Sequence, residues 1–190
     1  MNVTEAIRAR RSIRKYKPDP ISDEILTELL EAAVSAPSGV NRQPWHFSVL
    51  RSPEARADLH KIMLKVDQAF LPVLEKRFPN HPDTIAETRD FLTTLGGAPV
   101  VILVSFYRDY PGRDPSIIAI AAAIENLMLA AWAKGIGSCC LNAPLTAGYG
   151  EELHQRFAPD KGETLALITL GYPDQSPAMP VRRGGRYKFI

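Results

Sequence analysis

The residues best equipped for chemistry lie close to the start of the chain, in the run Arg10-Arg11-Ser12-Ile13-Arg14-Lys15-Tyr16. A guanidinium is a planar fork that makes paired, charge-assisted hydrogen bonds to phosphate or carboxylate oxygens. Arg10 and Arg14 are four residues apart, so on a helical end they would share one face. Alone, the run suits an anion site and a solvated basic turn equally well. A second candidate follows in Ala36-Pro37-Ser38-Gly39-Val40-Asn41-Arg42-Gln43-Pro44-Trp45. A permissive glycine, three short polar side chains and two framing prolines could edge a flat heterocycle with hydrogen bonds; they could also be an ordinary helix-to-strand loop. A third candidate is the tail, Gly171-Tyr172-Pro173 and then Met179-Pro180-Val181-Arg182-Arg183.

Charge distribution favours the anion reading. Six basic residues stand among the first 17 (Arg8, Arg10, Arg11, Arg14, Lys15, Lys17) beside the single acid Glu5, and Arg182, Arg183, Arg186 and Lys188 close the chain. The formal net charge is only +2, so the body between these ends is acidic. Two basic ends on an acidic body make one local anion site if they meet in space. Other chemistries lack their signatures. No GxGxxG follows the first strand, and no Walker A, HExxH or GxSxG sequence occurs. His46, His60, His81 and His154 have no metal-ligand spacing, so no metal is expected. The only cysteines, Cys139 and Cys140, are adjacent, a poor disulfide pair that reads as small buried residues in a reducing compartment.

These candidates need a scaffold, and 190 residues suffice for one well-cored domain, expected here to span 1–190. The pattern predicts a short helix from Val3 to about Ala9. A second helix, capped by Ser22 and carried by Ile25, Leu26, Leu29, Leu30 and Ala33, should end before Pro37. Strands are predicted at Trp45–Leu50, Pro99–Phe106, Ser138–Leu141 and Thr164–Leu170, the second by its continuously apolar, β-branched run. Ser52-Pro53-Glu54 opens a helix, and 71–95 reads as helical pieces broken by Pro72, Pro79 and Pro82. A loop is expected from Tyr107 to Pro115, a long helix from Ser116 to Lys134 stopped by Gly135, and another from about Ala147 to Phe157. The long helix is apolar around most of its circumference, which calls for a large core or a subunit interface. No amino-terminal apolar signal is visible, and the apolar run Ile117–Ile124 is too short to span a bilayer, so a cytoplasmic, membrane-free protein is expected.

Taken in order, RRSIRKY, APSGVNRQPWHF, GIGSCCLNAP and LGYPDQSPAMPVRR resemble the nitroreductase family of FMN flavoproteins across essentially the whole chain. The resemblance implies an α+β fold of three layers, α/β/α. Its central sheet is mixed and mostly antiparallel, and its C-terminal tail is exchanged across a homodimer. It implies tightly but non-covalently bound FMN at the subunit interface, reduced by NAD(P)H in a ping-pong cycle that passes hydride through N5 to a small aromatic acceptor such as a nitroaromatic or quinone. By it, Arg10, Arg11, Ser12 and Arg14 bind the phosphate, the ribityl chain and the pyrimidine edge. Pro37, Ser38, Gly39, Asn41 and Gln43 approach from the other subunit, Asn142 and Ala143 face N5, and Arg183 with Arg182 returns to the phosphate. No side chain is required as nucleophile or general base, so no catalytic residue is assigned. The stretch Lys65–Pro72 departs from members that carry an Asn/Lys pair there, which leaves NADH and NADPH both open. Alternatives are reductive dehalogenation or flavin breakdown on the same fold, or a non-catalytic anion or nucleic-acid binder. The acidic body opposes nucleic acid as a partner.

Overall fold

The computed structural model describes residues 1–107 and 113–190. Four strands form one sheet: β1 (Trp45–Leu50), β2 (Val100–Phe106), β3 (Gly137–Leu141) and β4 (Thr164–Gly171). Their spatial order is β1-β2-β4-β3, and every neighbouring pair is antiparallel. The parallel element expected of a mixed sheet is a single bridge, Ser12 to Ser138 on β3.

Both faces of the sheet are covered, which explains the unbroken apolar run of β2. Side chains alternate between faces along a strand. Val101 and Leu103 point into a core shared with Leu59, Met63, Val66 and Phe70 of α3 (Pro53–Arg77), Phe91 and Leu92 of α4 (Pro82–Thr94) and Leu153 of α7 (Gly150–Phe157). Val100, Ile102 and Val104 point the other way, against Leu26, Leu29 and Ala33 of α2 (Asp23–Val34) and Ile120, Ala123 and Leu127 of α5 (Arg113–Ala133). The result is the expected three-layer α+β arrangement. Fully burying one such Leu or Ile contributes about 1.5–3 kcal/mol, and many do so here.

Local signals place the helices. The Asn2 side chain accepts from the Glu5 N–H at 2.9 Å and the Glu5 carboxylate accepts from the Asn2 N–H at 2.9 Å, a reciprocal cap for α1 (Val3–Ala9). Ser22 caps α2 as its sequence predicts. The helix expected from Ala147 starts later, as α7 at Gly150, and a short α6 (Ala143–Thr146) precedes it, with Gly148 at φ +87 between them. The larger difference is α3, which runs 25 residues straight through Pro72. A mid-helix proline costs about 3 kcal/mol. Phe70 and Leu74, four apart, are both buried in the core, while Pro72 and Gln68, whose carbonyl loses its partner, are exposed. Packing on either side of Pro72 therefore outweighs the lost hydrogen bond.

By length and composition α5 is apolar enough to cross a membrane, yet its inner face is built into the core. Its first turn begins at Arg113 rather than at Ser116, which is buried within the helix. Residues 108–112 of the loop expected before it lie outside the described residues.

Candidate functional site

The basic run leaves α1 at Arg10, the C-cap, and lies along β3. The Ile13 N–H donates to the Ser138 carbonyl at 2.9 Å, and Ile13 and Tyr16 turn into the core while Arg14 and Lys15 turn out. Tyr16 fixes this alternation. Its hydroxyl donates to the Ile13 carbonyl at 2.5 Å and lies 2.7 Å from the Thr169 hydroxyl, and burial pushes its ionisation well above the usual phenol value. The Tyr16 N–H donates to the Gly96 carbonyl, and the Lys17 N–H donates to the Tyr172 carbonyl, each at 2.9 Å. Gly96 has φ +64, and a Cβ there would stand 2.1 Å from the Arg14 carbonyl oxygen. Only glycine lets these two backbones meet.

The same fastenings deliver the tail. The Asp174 N–H donates to the Lys15 carbonyl at 2.9 Å, and the Asp174 carboxylate lies 3.7 Å from the Lys15 ammonium. The chain then passes over the N-terminal run, so that Arg10, Arg11, Ser12 and Arg14 share a cleft of about 340 Å³ with Pro177, Ala178, Pro180 and Arg182. The two basic ends therefore meet in space. Arg183 is exposed and does not line this cleft. Within it, Arg10 Nε donates to a Glu125 carboxylate oxygen of α5 at 3.2 Å, and Arg11 donates to the Arg8 and Arg10 carbonyls. Arg11, Arg14 and Arg182 make no ion pair among the described residues.

Asn142 and Ala143 stand at the far end of β3. At about 3.3 Å per residue Asn142 lies some 13 Å and Ala143 some 16 Å along the strand direction from Ser138. Asn142 opens onto a cavity of about 580 Å³ walled by Ile117, Ala121 and Ile124 of α5, Cys140, and Glu163. Ala143 is the first residue of α6, so its N–H has no intrahelical acceptor. Between the two ends Cys139 is buried, as expected, whereas Cys140 is exposed, against expectation; partial desolvation raises the Cys140 thiol to about 11 and burial raises that of Cys139, against the pull of Arg14 and Arg10 on Cys139 and of Arg10 on Cys140. Neither is a ready thiolate.

The loop of Pro37, Ser38, Gly39, Asn41 and Gln43 leads into β1, at the opposite edge of the sheet from β3. Three strand spacings of about 4.8 Å separate the two edges. One chain does not bring this loop to the arginine cleft. The loop is nonetheless firmly shaped: Val40, Asn41 and Gln43 adopt φ of 45, 57 and 49. The Gln43 N–H donates to the Ser38 hydroxyl at 2.9 Å, and the Gln43 amide donates to the Asn41 side-chain oxygen at 3.2 Å. A β-branched residue at positive φ stores strain, and Val40 does so while exposed.

The polar residues of α3 are engaged elsewhere. Lys65 pairs with Glu152 at 2.8 Å, and the buried Asp67 takes a two-pronged bond from Arg89 of α4 at 2.9 and 2.8 Å. Asp67, Arg89, Phe91 and Glu125 are absent from the residues singled out by sequence. Glu125 alone had a signal, as a charge interrupting an otherwise apolar helix.

Comparison with known proteins identifies the family and the fold. The sequence model of the nitroreductase family matches residues 7–172. The Bacillus subtilis protein YfhC, named as an NAD(P)H nitroreductase, is 34% identical, with 97% of this chain and 91% of YfhC covered. A BluB-like flavoprotein of Clostridium difficile superposes with a TM-score of 0.79 at 27% identity, over 100% of this chain and 99% of that one. A nitroreductase with bound FMN from Bacteroides fragilis superposes with a TM-score of 0.76 at 25% identity, again over 100% and 99%.

Proposed function

We propose that this chain, which belongs to the nitroreductase family, is an FMN-dependent oxidoreductase that uses NAD(P)H to reduce a small aromatic acceptor such as a nitroaromatic or quinone. The observation that carries this reading is the meeting of Arg10, Arg11, Arg14 and Arg182 at one end of the β3 edge whose other end is Asn142–Ala143. The residues fit an elongated ligand with an anionic terminus: the guanidiniums of Arg10, Arg11 and Arg182 gather at one end with Arg14 beside them, and the Ala143 N–H, free of helical bonding, lies some 16 Å away along the strand direction.

FMN, once bound, would supply the redox chemistry, hydride passage through N5 between the nicotinamide and the acceptor in ping-pong order. The protein's part is binding and electrostatics. Arg10, Arg11 and Arg182, with the Ser12 hydroxyl, hold the phosphate and ribityl end. Arg10 is held in place by Glu125. Arg14 sets positive charge at the pyrimidine edge, where negative charge accumulates on reduction. Asn142 and Ala143 present polar backbone near N5, and Arg183 sits on the tail beside the phosphate end. Pro37, Ser38, Gly39, Asn41 and Gln43 act on the flavin of a partner in a cytoplasmic homodimer of single-domain subunits, since they stand at the wrong edge to serve their own.

The test is flavin retention. The purified protein should be yellow and should bind FMN more tightly than riboflavin, which lacks the phosphate. Replacing Arg10 or Arg14 by Ala should weaken FMN binding by about 1.5–3 kcal/mol, the usual worth of a charged hydrogen bond. A colourless protein that takes up no FMN overturns the reading. Anaerobic reduction by NADH and NADPH, then an acceptor panel, identifies donor and acceptor. Flavin breakdown, the alternative reaction, would show instead as aerobic bleaching of the flavin without an acceptor.

A further inference from the structure

We infer that Phe91 is a positioning residue for Arg14 and that the α3–α4 hairpin serves as a brace for this arginine. The inference rests on the FMN reading of the arginine cleft and deepens it. Three contacts carry it.

The Arg14 guanidinium carbon lies 6.0 Å from the centroid of the Phe91 ring, within reach of a cation–π attraction. Phe91 is buried, so the ring is a fixed platform, whereas the exposed Arg14 has besides it only the Cys139 thiol, a weak acceptor, to hold its guanidinium. Behind the platform, α4 is tied to α3 by Arg89 on Asp67, a two-pronged ion pair on a carboxylate only 5% exposed. Beyond it, the turn that ends α4 presses Gly96 against the Arg14 backbone and accepts the Tyr16 N–H. Backbone and side chain of Arg14 are therefore both set by the same hairpin.

Arg14 also stands on the ridge between two clefts. It lines the arginine cleft, and it lines a second cleft of about 890 Å³ that runs down to Phe78, Thr88 and Phe91. An unrestrained side chain at such a ridge divides its time between the two. The ring of Phe91 fixes where the charge stands relative to the flavin's pyrimidine edge. This gives the hairpin a part in the redox site without touching the flavin, and accounts for Asp67 where the resemblance led one to look for a flavin-contacting pair.

The experiment is a double-mutant cycle on the FMN-loaded protein, reading FMN affinity by fluorescence titration and the flavin reduction potential by dye equilibration. Phe91→Leu should weaken FMN binding roughly three- to tenfold, the fold-change that matches a partly desolvated cation–π contact, and should lower the potential. Phe91→Tyr, which keeps the ring, should restore both. In an Arg14→Gln background Phe91→Leu should change neither. Equal effects of Phe91→Leu in both backgrounds would show that Phe91 only fills the core, and would overturn the inference while leaving the site intact. If Arg14→Gln itself changed neither affinity nor potential, the placement of Arg14 at the flavin would fall, and the inference with it. Thermal melts of each variant check that the fold is retained. Arg89→Met, which touches neither Arg14 nor Phe91, should shift the potential in the same direction, and no shift would count against the brace.

Discussion

Replacing Gly96 by alanine separates two physical effects that usually arrive together. Gly96 has φ +64, and Gly135, at the end of α5, has φ +75, so both substitutions force an L-residue into the left-handed region. That alone costs about 1–2 kcal/mol. The surroundings differ. At Gly135 nothing lies within 4 Å of a new Cβ, whereas at Gly96 it would meet the Arg14 carbonyl oxygen at 2.1 Å, the Arg14 carbonyl carbon at 2.6 Å and the Lys15 nitrogen at 3.2 Å. All three are backbone atoms, so no rotamer change relieves the overlap and the strand of residues 14–16 must move. Moving it strains or breaks the bond from the Tyr16 N–H to the Gly96 carbonyl, whose loss costs about 1–3 kcal/mol if its groups stay buried. Gly135→Ala should therefore destabilise by about 1–2 kcal/mol and Gly96→Ala by about 2–5 kcal/mol, both read from urea unfolding of the flavin-free protein. FMN titration adds a second readout. Gly96→Ala should weaken binding because Arg14 is displaced, and Gly135→Ala should leave it unchanged. Equal destabilisation by the two variants, or unaltered FMN affinity in Gly96→Ala, would refute the close approach as the device that sets Arg14.

Tyr16→Phe removes a buried hydroxyl that serves both the Ile13 carbonyl and Thr169, and should destabilise by about 1–3 kcal/mol in the same assay; an unchanged midpoint would mean the hydroxyl is not what fixes the run. Desolvation raises the thiol of the exposed Cys140 to about 11, and burial raises the Cys139 thiol and the Tyr16 phenol too. Because the folded values exceed the unfolded ones, this stabilisation is complete below about pH 9 and is lost as pH climbs through about 11. Urea midpoints should fall over that window, and less steeply in Cys140→Ser. Ile118, 72% exposed on α5, should lie in the proposed dimer contact, so Ile118→Glu should yield monomers by analytical ultracentrifugation; a dimer of unchanged affinity would move the interface elsewhere.

Much of this arrangement was legible in the sequence because it is written in local signals. Ser22 and Ser52 cap the helices they precede. The apolar run of β2 announces a strand covered on both sides, and the charge at the two chain ends announces their meeting. The failures are equally physical. Pro72 reads as a break because its penalty is local, whereas the burial of Phe70 and Leu74 that outweighs it is tertiary. Asp67 and Arg89 are 22 residues apart and sit in unremarkable polar positions, so nothing but folding reveals that one neutralises the other. Phe91 looks like core and is core. Its second role depends on which side chain lies above it.

The placement of the two motifs that first drew attention also constrains the assembly. The arginine run fastens to β3 and the Pro37–Gln43 loop leads into β1, the two outermost strands, and the fixed order β1-β2-β4-β3 keeps them apart in any one subunit. Both motifs nonetheless have the hallmarks of ligand contact: converging guanidiniums in one, and strained positive-φ backbone with aligned amides in the other. Either the loop serves some other ligand, or a second copy carries it to the arginines. A two-fold axis satisfies the second option twice over, because each subunit then gives its loop and receives its partner's. The outward face of α5 supplies the apolar surface for such a contact. Ile118 is exposed, Ile117 and Ile124 are half-buried, and Val3 and Ile7 of neighbouring α1 add to the patch. One symmetry operation would account both for the helix that is too apolar for its own core and for the loop at the wrong edge, and it would make the proposed site a property of two chains rather than of one.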